Sequence, residues 1–212
     1  MTIQLSMDTY LHPTYFPNIS HFVGIANADN VVFEVEDNYQ KQTYRNRTHI
    51  YGANGKLSLS IPVKHTHKNR QIYKDVKIIN DTNWQLSHWK SLQSAYKTSP
   101  FFEFYEDDLA HLFFEKHNYI LEFNFKCINI IADCLQLDLN YETTSFYKKE
   151  IPNSHDLRFL VNARKESEQH FEPYTQVFSN KHGYINNLSV LDLLFNEGTN
   201  ALSYLHSQKL EL

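Results

Sequence analysis

A histidine near the N-terminus is the first residue of this sequence whose type and setting favour chemistry. His12 opens a short proline-containing segment, residues 12–17. An imidazole titrates near neutral pH, so it can donate a hydrogen bond to a phosphate or act as a general acid or base. Asn18 follows and can cap a helix, whose free N–H groups would face an anion. We therefore predict a catalytic role for His12 and a substrate contact for Tyr15; the alternative is a polar turn histidine stacked on that tyrosine.

A group of cations is the second candidate, because Lys41, Arg45 and Arg47 fall within one short stretch. If residues 44–51 form a strand, Arg45 and Arg47 project to one side and Asn46 to the other. Two guanidinium groups on one face suit a diphosphate or a carboxylate. A solvated strand face is the alternative interpretation. The substrate-binding residues predicted in this stretch are Tyr39, Lys41, Arg45, Asn46 and Arg47.

Two further candidates lie in the middle of the chain. Trp84 and His88 are neighbours on a helix predicted over residues 84–97, because side chains four apart share a face. The pair predicts a substrate contact for Trp84 and a catalytic role for His88, with packing in the core as the alternative. Asp75 precedes a short strand predicted over residues 76–79, and it is a candidate catalytic base or an exposed turn carboxylate.

Metal and cofactor motifs are scarce. His65 and His67 have no third ligand nearby in the sequence, so we predict no metal site. The chain has no glycine-rich phosphate loop and no GxSxG, HExxH or CxxC motif, and we predict no cofactor. Asp192 stands in an apolar helix, where we expect it to face water or to pair with a cation, because unpaired burial of a charge is costly.

The elements that must position these residues alternate at first and are then mostly helical. We predict an α/β fold: a mixed sheet with a β-α-β start and a hairpin, followed by a helical C-terminal half. Asn18 marks a helix start, and the glycines at 52 and 55 mark a hairpin turn. The predicted helices cover residues 18–28, 84–97, 101–115, 121–137, 187–196 and 199–208, and the predicted strands cover residues 31–36, 44–51, 57–63, 76–79 and 143–147.

The length and composition of the chain predict its domain organisation and argue against nucleic-acid-binding and membrane-spanning proteins. The chain has 212 residues, of which 42% are hydrophobic, and this predicts a single domain over residues 1–212. Residues 148–172 are polar and charged, which favours an exposed or flexible segment. The net charge of −4 argues against nucleic-acid binding. There is no signal-peptide pattern and no run of apolar residues long enough for a membrane span, so we expect a cytoplasmic protein.

Four ordered segments together resemble the WbqC-like family. They are Pro13-Thr-Tyr-Phe-Pro17 with the helix after it, Tyr39 to Arg47, Trp84-x-x-x-His88 with Tyr96 and Pro100-Phe-Phe102, and Asn187 to Asn196. The resemblance implies a role in bacterial surface-polysaccharide (O-antigen or capsule) biosynthesis, with amino-acid or acyl transfer to an amino sugar suggested for the family. The family's first motif usually reads Gln-Pro-Asn-Tyr-Leu-Pro and its second carries Lys-Arg. Here His12 and Thr14 replace the Gln and Asn, and Lys41-Gln42 replaces the pair, which implies a shifted substrate.

Three functions follow from these observations. The first is a transferase acting on an activated sugar, either nucleotide-linked or amino, with a small-molecule or nucleotide-sugar substrate. The second is a non-catalytic interaction protein whose aromatic surface docks a partner or forms a homodimer. The third is a nucleotidylyltransferase-like enzyme, because His12 in a loop and His21 near a helix start share that class's layout, although their spacing is wide.

Overall fold

The computed structural model describes residues 6–64 and 70–211. His65, His67 and most of the basic loop around them lie outside these residues. Within the described residues the strands are β1 (Asp8–Leu11), β2 (Asn30–Phe33), β3 (Arg47–Gly52), β4 (Gly55–Ser60), β5 (Tyr141–Thr143) and β6 (His155–Asp156). The helices are α1 (Ile19–Ala26), α2 (Trp84–Tyr96), α3 (Phe102–Phe114), α4 (Ile120–Leu135), α5 (Ser179–His182), α6 (Val190–Glu197) and α7 (Ala201–Ser207), with short 3-10 turns at Tyr73–Asp75, Arg158–Val161 and Gly198–Asn200.

Four parallel strands form the central sheet, in the order β5-β2-β1-β6. The register pairs Leu11 with Phe33, Tyr10 with Asp156 and Phe33 with Thr143. Parallel neighbours need a crossover connection, and α1 supplies it between β1 and β2. The α/β class and the β-α-β start are therefore confirmed. β3 and β4 form the predicted hairpin, which is a separate antiparallel sheet.

The helix α1 begins and packs as its sequence predicts. The side chain of Asn18 accepts a hydrogen bond from the backbone N–H of His21, which satisfies one of the free donors of the first turn. Residues 19–25 are all buried. A methyl group at Gly24 would lie 2.8 Å from Leu157, so the absence of a side chain lets the helix approach the end of β6.

The helical C-terminal half carries an aromatic core. The ring of Phe125 in α4 lies 5.4 Å from Phe33 and 5.2 Å from Tyr141, and these contacts hold the helix against the parallel sheet. Gly198 ends α6 with a φ of +55°, and a methyl group there would lie 2.6 Å from the ring of Phe101. Both the backbone and the packing therefore require glycine at this position.

Asp192 corrects one expectation, because it neither faces water nor pairs with a cation. Its carboxylate is fully buried and accepts hydrogen bonds from Tyr96 at 2.8 Å, Tyr174 at 2.6 Å and Gln176 at 2.9 Å. Burial is the main cause that raises the pKa of Asp192 to about 6, and the three hydrogen bonds oppose the rise. Neutral donors thus satisfy a group that the sequence alone suggested would need a positive charge.

Two strand predictions are corrected as well. β3 begins at Arg47 rather than at residue 44, because the preceding residues turn so that Tyr44 can donate its N–H to Val161. Residues 76–79 make only isolated bridges, between Lys77 and Tyr119 and between Ile78 and Val63.

Residues 148–172 are exposed only in part. Residues 148–150 are exposed, but the segment continues into β6 and then into the buried residues Leu157, Arg158, Leu160 and Val161. The charged composition of residues 148–172 predicted a solvated segment. It gave no sign that Arg158 would be buried and paired with the carboxylates of Glu34 and Asp156.

No helix within the described ranges is long and apolar enough to cross a bilayer.

Candidate functional site

A cavity of about 340 Å³ lies at the carboxyl ends of the parallel strands. His12 directly follows β1, Asp37 lies in the loop after β2, and Asp156 ends β6. β1 pairs with β2 on one side and with β6 on the other. The next strands of this sheet along the chain are added on the β2 side and the last strand on the opposite side, so the strand order reverses at β1. Ligands of open α/β sheets bind at such a switch point. The residues lining the cavity are His12, Asp37, Gln40, Arg45, Tyr147, Asp156, Arg158, Phe159, Val161, Asn162 and Lys165.

Asp37 connects the two most buried polar residues of this cavity. Its Oδ2 accepts a hydrogen bond from Arg45 Nη2 at 2.7 Å and another from His12 Nε2 at 3.0 Å. Its Oδ1 accepts the backbone N–H of Asn38 at 2.6 Å. One carboxylate therefore orients both the imidazole and the guanidinium.

His12 is a neutral imidazole in this setting. Burial, followed by the positive charges of Arg45 and other neighbours, lowers the pKa of His12 well below its ordinary value. A carboxylate can only accept a hydrogen bond. Nε2 therefore carries the hydrogen and donates the hydrogen bond to Asp37, and Nδ1 keeps a lone pair. Nδ1 is buried and has no hydrogen-bond partner among the described residues. The arrangement leaves an unpartnered basic nitrogen buried beside the cavity.

Arg45 is fully buried and only partly paired. Its guanidinium lies 5.2 Å from the centre of the Tyr73 ring, a cation–π contact that supports the charge in the interior. Burial lowers the pKa of Arg45, while Tyr73 and Asp37 oppose the change, and an arginine remains charged at neutral pH. Its Nε and Nη1 have no hydrogen-bond partner among the described residues. Buried donors are normally satisfied, so these two atoms suit an anionic ligand.

Arg158 also lines the cavity, and its hydrogen-bond donors already have partners within the chain. It donates to both oxygens of Asp156, at 2.8 Å and 2.6 Å, and to the carbonyls of Lys148 at 2.6 Å and Lys149 at 3.0 Å. Its hydrogen bond with Asp156 is the main cause that raises the pKa of Arg158. Arg158 therefore fixes the wall rather than offering free donors.

Lys165 adds an exposed cation to the wall. Its ammonium has no ion-pair partner within the described parts of the chain, whereas Asp37 and Asp156 neutralise the two arginines. The lining carries three cations and two carboxylates, and Glu34 lies 3.5 Å from Arg158 outside the lining. Lys165 is the lining cation without a carboxylate partner among the described residues.

The structure brings two of the predicted site residues, His12 and Arg45, to this cavity. His88 is not on its wall. The Tyr15 hydroxyl lies 2.9 Å from His88 Nδ1, and the Trp84 ring packs 5.3 Å from the imidazole. Burial lowers the pKa of His88 to about 4. Tyr15, Trp84 and His88 are therefore arranged as a packed group in the core.

The remaining predicted residues surround Arg45 or lie on the surface. Tyr39 is half-buried, and burial raises its pKa to about 12 against the opposing charges of Arg45 and Arg47. Arg47 starts β3, and Arg45 lies before the strand. The prediction that both side chains project from one face of a strand was therefore wrong, although both guanidinium charges act on Tyr39. Asn46 donates to the carbonyl of Ile61 at 3.0 Å. The outlying candidates, both exposed, are Lys41 and Asp75.

Sequence reasoning missed most of the wall. Asp37 follows the apolar run of β2, and a carboxylate just beyond a buried strand is a signal that could have found it. Arg158, Asp156 and Lys165 lie in the polar segment after α4, where nothing in the local sequence marks them. Among the described residues, no group of three or more His, Cys, Asp or Glu side chains is arranged to hold a metal ion.

Comparisons with known proteins agree with the first three of the four sequence segments, and the fourth, residues 187–196, lies outside the range that the family model matches. The chain is similar to an uncharacterised protein of Mycobacterium tuberculosis (strain ATCC 25618 / H37Rv), Rv1507c: the two are 24% identical over 220 residues, covering 90% of this chain and 94% of the relative. No solved structure matches the chain significantly. A model of the WbqC-like protein family matches residues 12–170, a range that includes His12, Arg45 and Arg158. The chain therefore belongs to the WbqC-like protein family.

Proposed function

We propose that the chain is a transferase acting on an activated, phosphate-linked sugar in surface-polysaccharide biosynthesis. The observation that carries the proposal is a set of three buried polar atoms without partners among the described residues: His12 Nδ1, Arg45 Nε and Arg45 Nη1. A base and a double donor on one cavity wall suit a substrate that combines a transferable group with a phosphate. The family resemblance supports the sugar, because it connects the family with polysaccharide synthesis.

The roles follow from the hydrogen bonds. A transfer needs a group that accepts the proton of the attacking hydroxyl or amine, and His12 Nδ1 holds the free lone pair. Asp37 keeps Nε2 protonated, orients the ring and stabilises the imidazolium that forms. Arg45 and Lys165 hold the phosphate and stabilise the charge that develops on it. The acceptor oxygen or nitrogen loses its proton to His12 and forms a bond to the anomeric carbon of the sugar. The bond from that carbon to the phosphate oxygen breaks, and the phosphate leaves with the electron pair.

A His12→Gln variant separates catalysis from folding. The glutamine amide N–H takes the place of Nε2–H toward Asp37, and the family motif usually carries glutamine here. We expect UDP- or dTDP-sugar binding within about threefold of wild type, whereas release of the nucleotide slows roughly 10²- to 10⁴-fold, the usual contribution of a general base. His111→Gln, at an exposed position of α3, is the matched control. The proposal fails if wild type binds neither a sugar nucleotide nor a sugar phosphate, or if His12→Gln turns over at the wild-type rate.

Nucleotidyl transfer is a second candidate, and His21 favours it. His21 lies in the first turn of α1, and its Nε2 is buried without a hydrogen-bond partner among the described residues. Asn18 accepts a hydrogen bond at 2.8 Å from His21 Nδ1, and burial lowers the pKa of His21 to about 3. His21 does not line the cavity, so we place this function second. Calorimetry with ATP or CTP, with and without magnesium, tests it: magnesium-dependent binding that His21→Asn abolishes would favour it over sugar transfer.

The interaction-protein alternative depends on exposed apolar surface. Phe104 and Phe114 in α3 are 75% and 66% exposed. A homodimer and a cytoplasmic location stay predictions of the sequence, and sedimentation at increasing protein concentration measures the first.

A further inference from the structure

Two exposed aromatic rings form part of the cavity lining. Tyr147 is 47% and Phe159 is 42% exposed, and both line the cavity. His12 and Arg45, by contrast, are 3% and 0% exposed. Flat rings offer a large contact area at little cost in side-chain entropy, and they are typical of sites that bind planar groups.

Arg158 connects Tyr147 to the end of β6. Its guanidinium lies 5.5 Å from the centre of the Tyr147 ring and donates to the carbonyls of the next two residues, Lys148 and Lys149, at 2.6 Å and 3.0 Å. Asp156 in β6 anchors the same guanidinium. Phe159 directly follows Arg158 in a 3-10 turn, so both rings lie close to Arg158 along the chain or in space.

We propose that the substrate is a nucleotide-linked sugar whose base stacks on Tyr147 and Phe159. This inference rests on the proposed function and specifies the carrier of the sugar. In a sugar nucleotide the diphosphate separates the sugar from the base. With the reacting sugar at buried His12 and the diphosphate toward Arg45 and Lys165, the base reaches the exposed end of the cavity, where the rings stand. Tyr147 and Phe159 are then specificity residues that distinguish a nucleotide carrier from a simple sugar phosphate.

Calorimetric titration with a panel of ligands tests the inference. The panel is UDP-glucose, UDP, dTDP, ADP, GDP and glucose 1-phosphate. We expect at least one nucleoside diphosphate to bind about tenfold or more tightly than glucose 1-phosphate. Tyr147→Leu and Phe159→Leu should each weaken that nucleotide between about 5- and 150-fold, the range of one lost base–ring stack, and leave glucose 1-phosphate unchanged.

Phe146→Leu is the matched control, because Phe146 is 61% exposed beside Tyr147 but does not line the cavity. Its nucleotide affinity should equal that of wild type. If glucose 1-phosphate binds as tightly as every nucleotide and neither leucine variant changes affinity, the inference is overturned while the proposed function stands. If no phosphate-containing ligand binds to wild type, both are overturned. Thermal unfolding of each variant shows that it is folded.

Discussion

Replacing Asp37 with asparagine should destabilise the protein far more than the same change at its neighbour. Asp37 Oδ2 lies 2.7 Å from Arg45 Nη2, and the two side chains are 10% and 0% exposed. Removing one charge of a buried pair leaves the other uncompensated, at a cost of about 3–5 kcal/mol. Asp37 is near a cavity that water can enter, so we expect the lower end, about 3 kcal/mol.

Glu36→Gln is the matched control. Glu36 and Lys74 are also 2.7 Å apart, but the side chains are 20% and 45% exposed. Solvent screening reduces such a pair to about 0–1 kcal/mol. Burial, rather than distance, therefore accounts for the difference expected between two adjacent carboxylates.

Urea and thermal unfolding, followed by circular dichroism, measure both variants. For a domain of this size, a loss of about 3 kcal/mol lowers Tm by roughly 6–12 °C. Glu36→Gln should lower it by no more than about 4 °C. Equal and small losses in the two variants would refute the argument, because Arg45 would then not depend on Asp37 for its charge balance.

Three further predictions concern stability and binding. Burial gives Asp192 a folded pKa of about 6 against an ordinary value of 3.8, so the unfolded state ionises first and the contribution of Asp192 to stability falls as pH rises between these values. The buried histidines, with lowered pKa values, make both wild type and Asp192→Asn more stable over the same interval. Urea unfolding at pH 4 and 7 should therefore show that wild type gains about 2 kcal/mol less stability than Asp192→Asn; equal pH profiles would contradict it. Gly198→Ala should lose about 2 kcal/mol more than Gly183→Ala by the same assay, because both have positive φ but only the first would clash. Lys165→Ala should weaken UDP binding about fivefold in calorimetry, and exposed Lys41→Ala should not.

The elements with local signals were predictable. Asn18 marked the start of α1, and the glycines at 52 and 55 marked the hairpin, because capping and turn formation depend on neighbouring residues. The apolar spacing of α4 placed that helix within two residues at each end. Such signals need no knowledge of the rest of the chain.

The site was predictable only in part, because its residues meet through distant contacts. His12 and Arg45 stood out by type, but nothing in the local sequence shows that both would pair with Asp37. β6 pairs through only two residues, and no hydrophobic pattern can develop over that length. Arg158 belongs to a segment that looked solvated, since its partners Asp156 and Glu34 come together only when β6 joins the sheet.

His88 was predicted to belong to the site but lies in the core. Trp84 and His88 were correctly placed on one helix, and the helical spacing suggested a pocket. The spacing could not show that the Tyr15 hydroxyl would form a hydrogen bond with the imidazole. A histidine near a tryptophan was therefore chemically suggestive but is packed among aromatic rings.

A crystal structure of the protein with a bound sugar nucleotide would show whether His12 and Arg45 bind the substrate. We expect a phosphate oxygen within hydrogen-bond distance of Arg45 Nε or Nη1, and the sugar beside His12 Nδ1. A sugar nucleotide bound away from the carboxyl ends of β1 and β6, with Arg45 and His12 making no contact with it, would refute the proposed site.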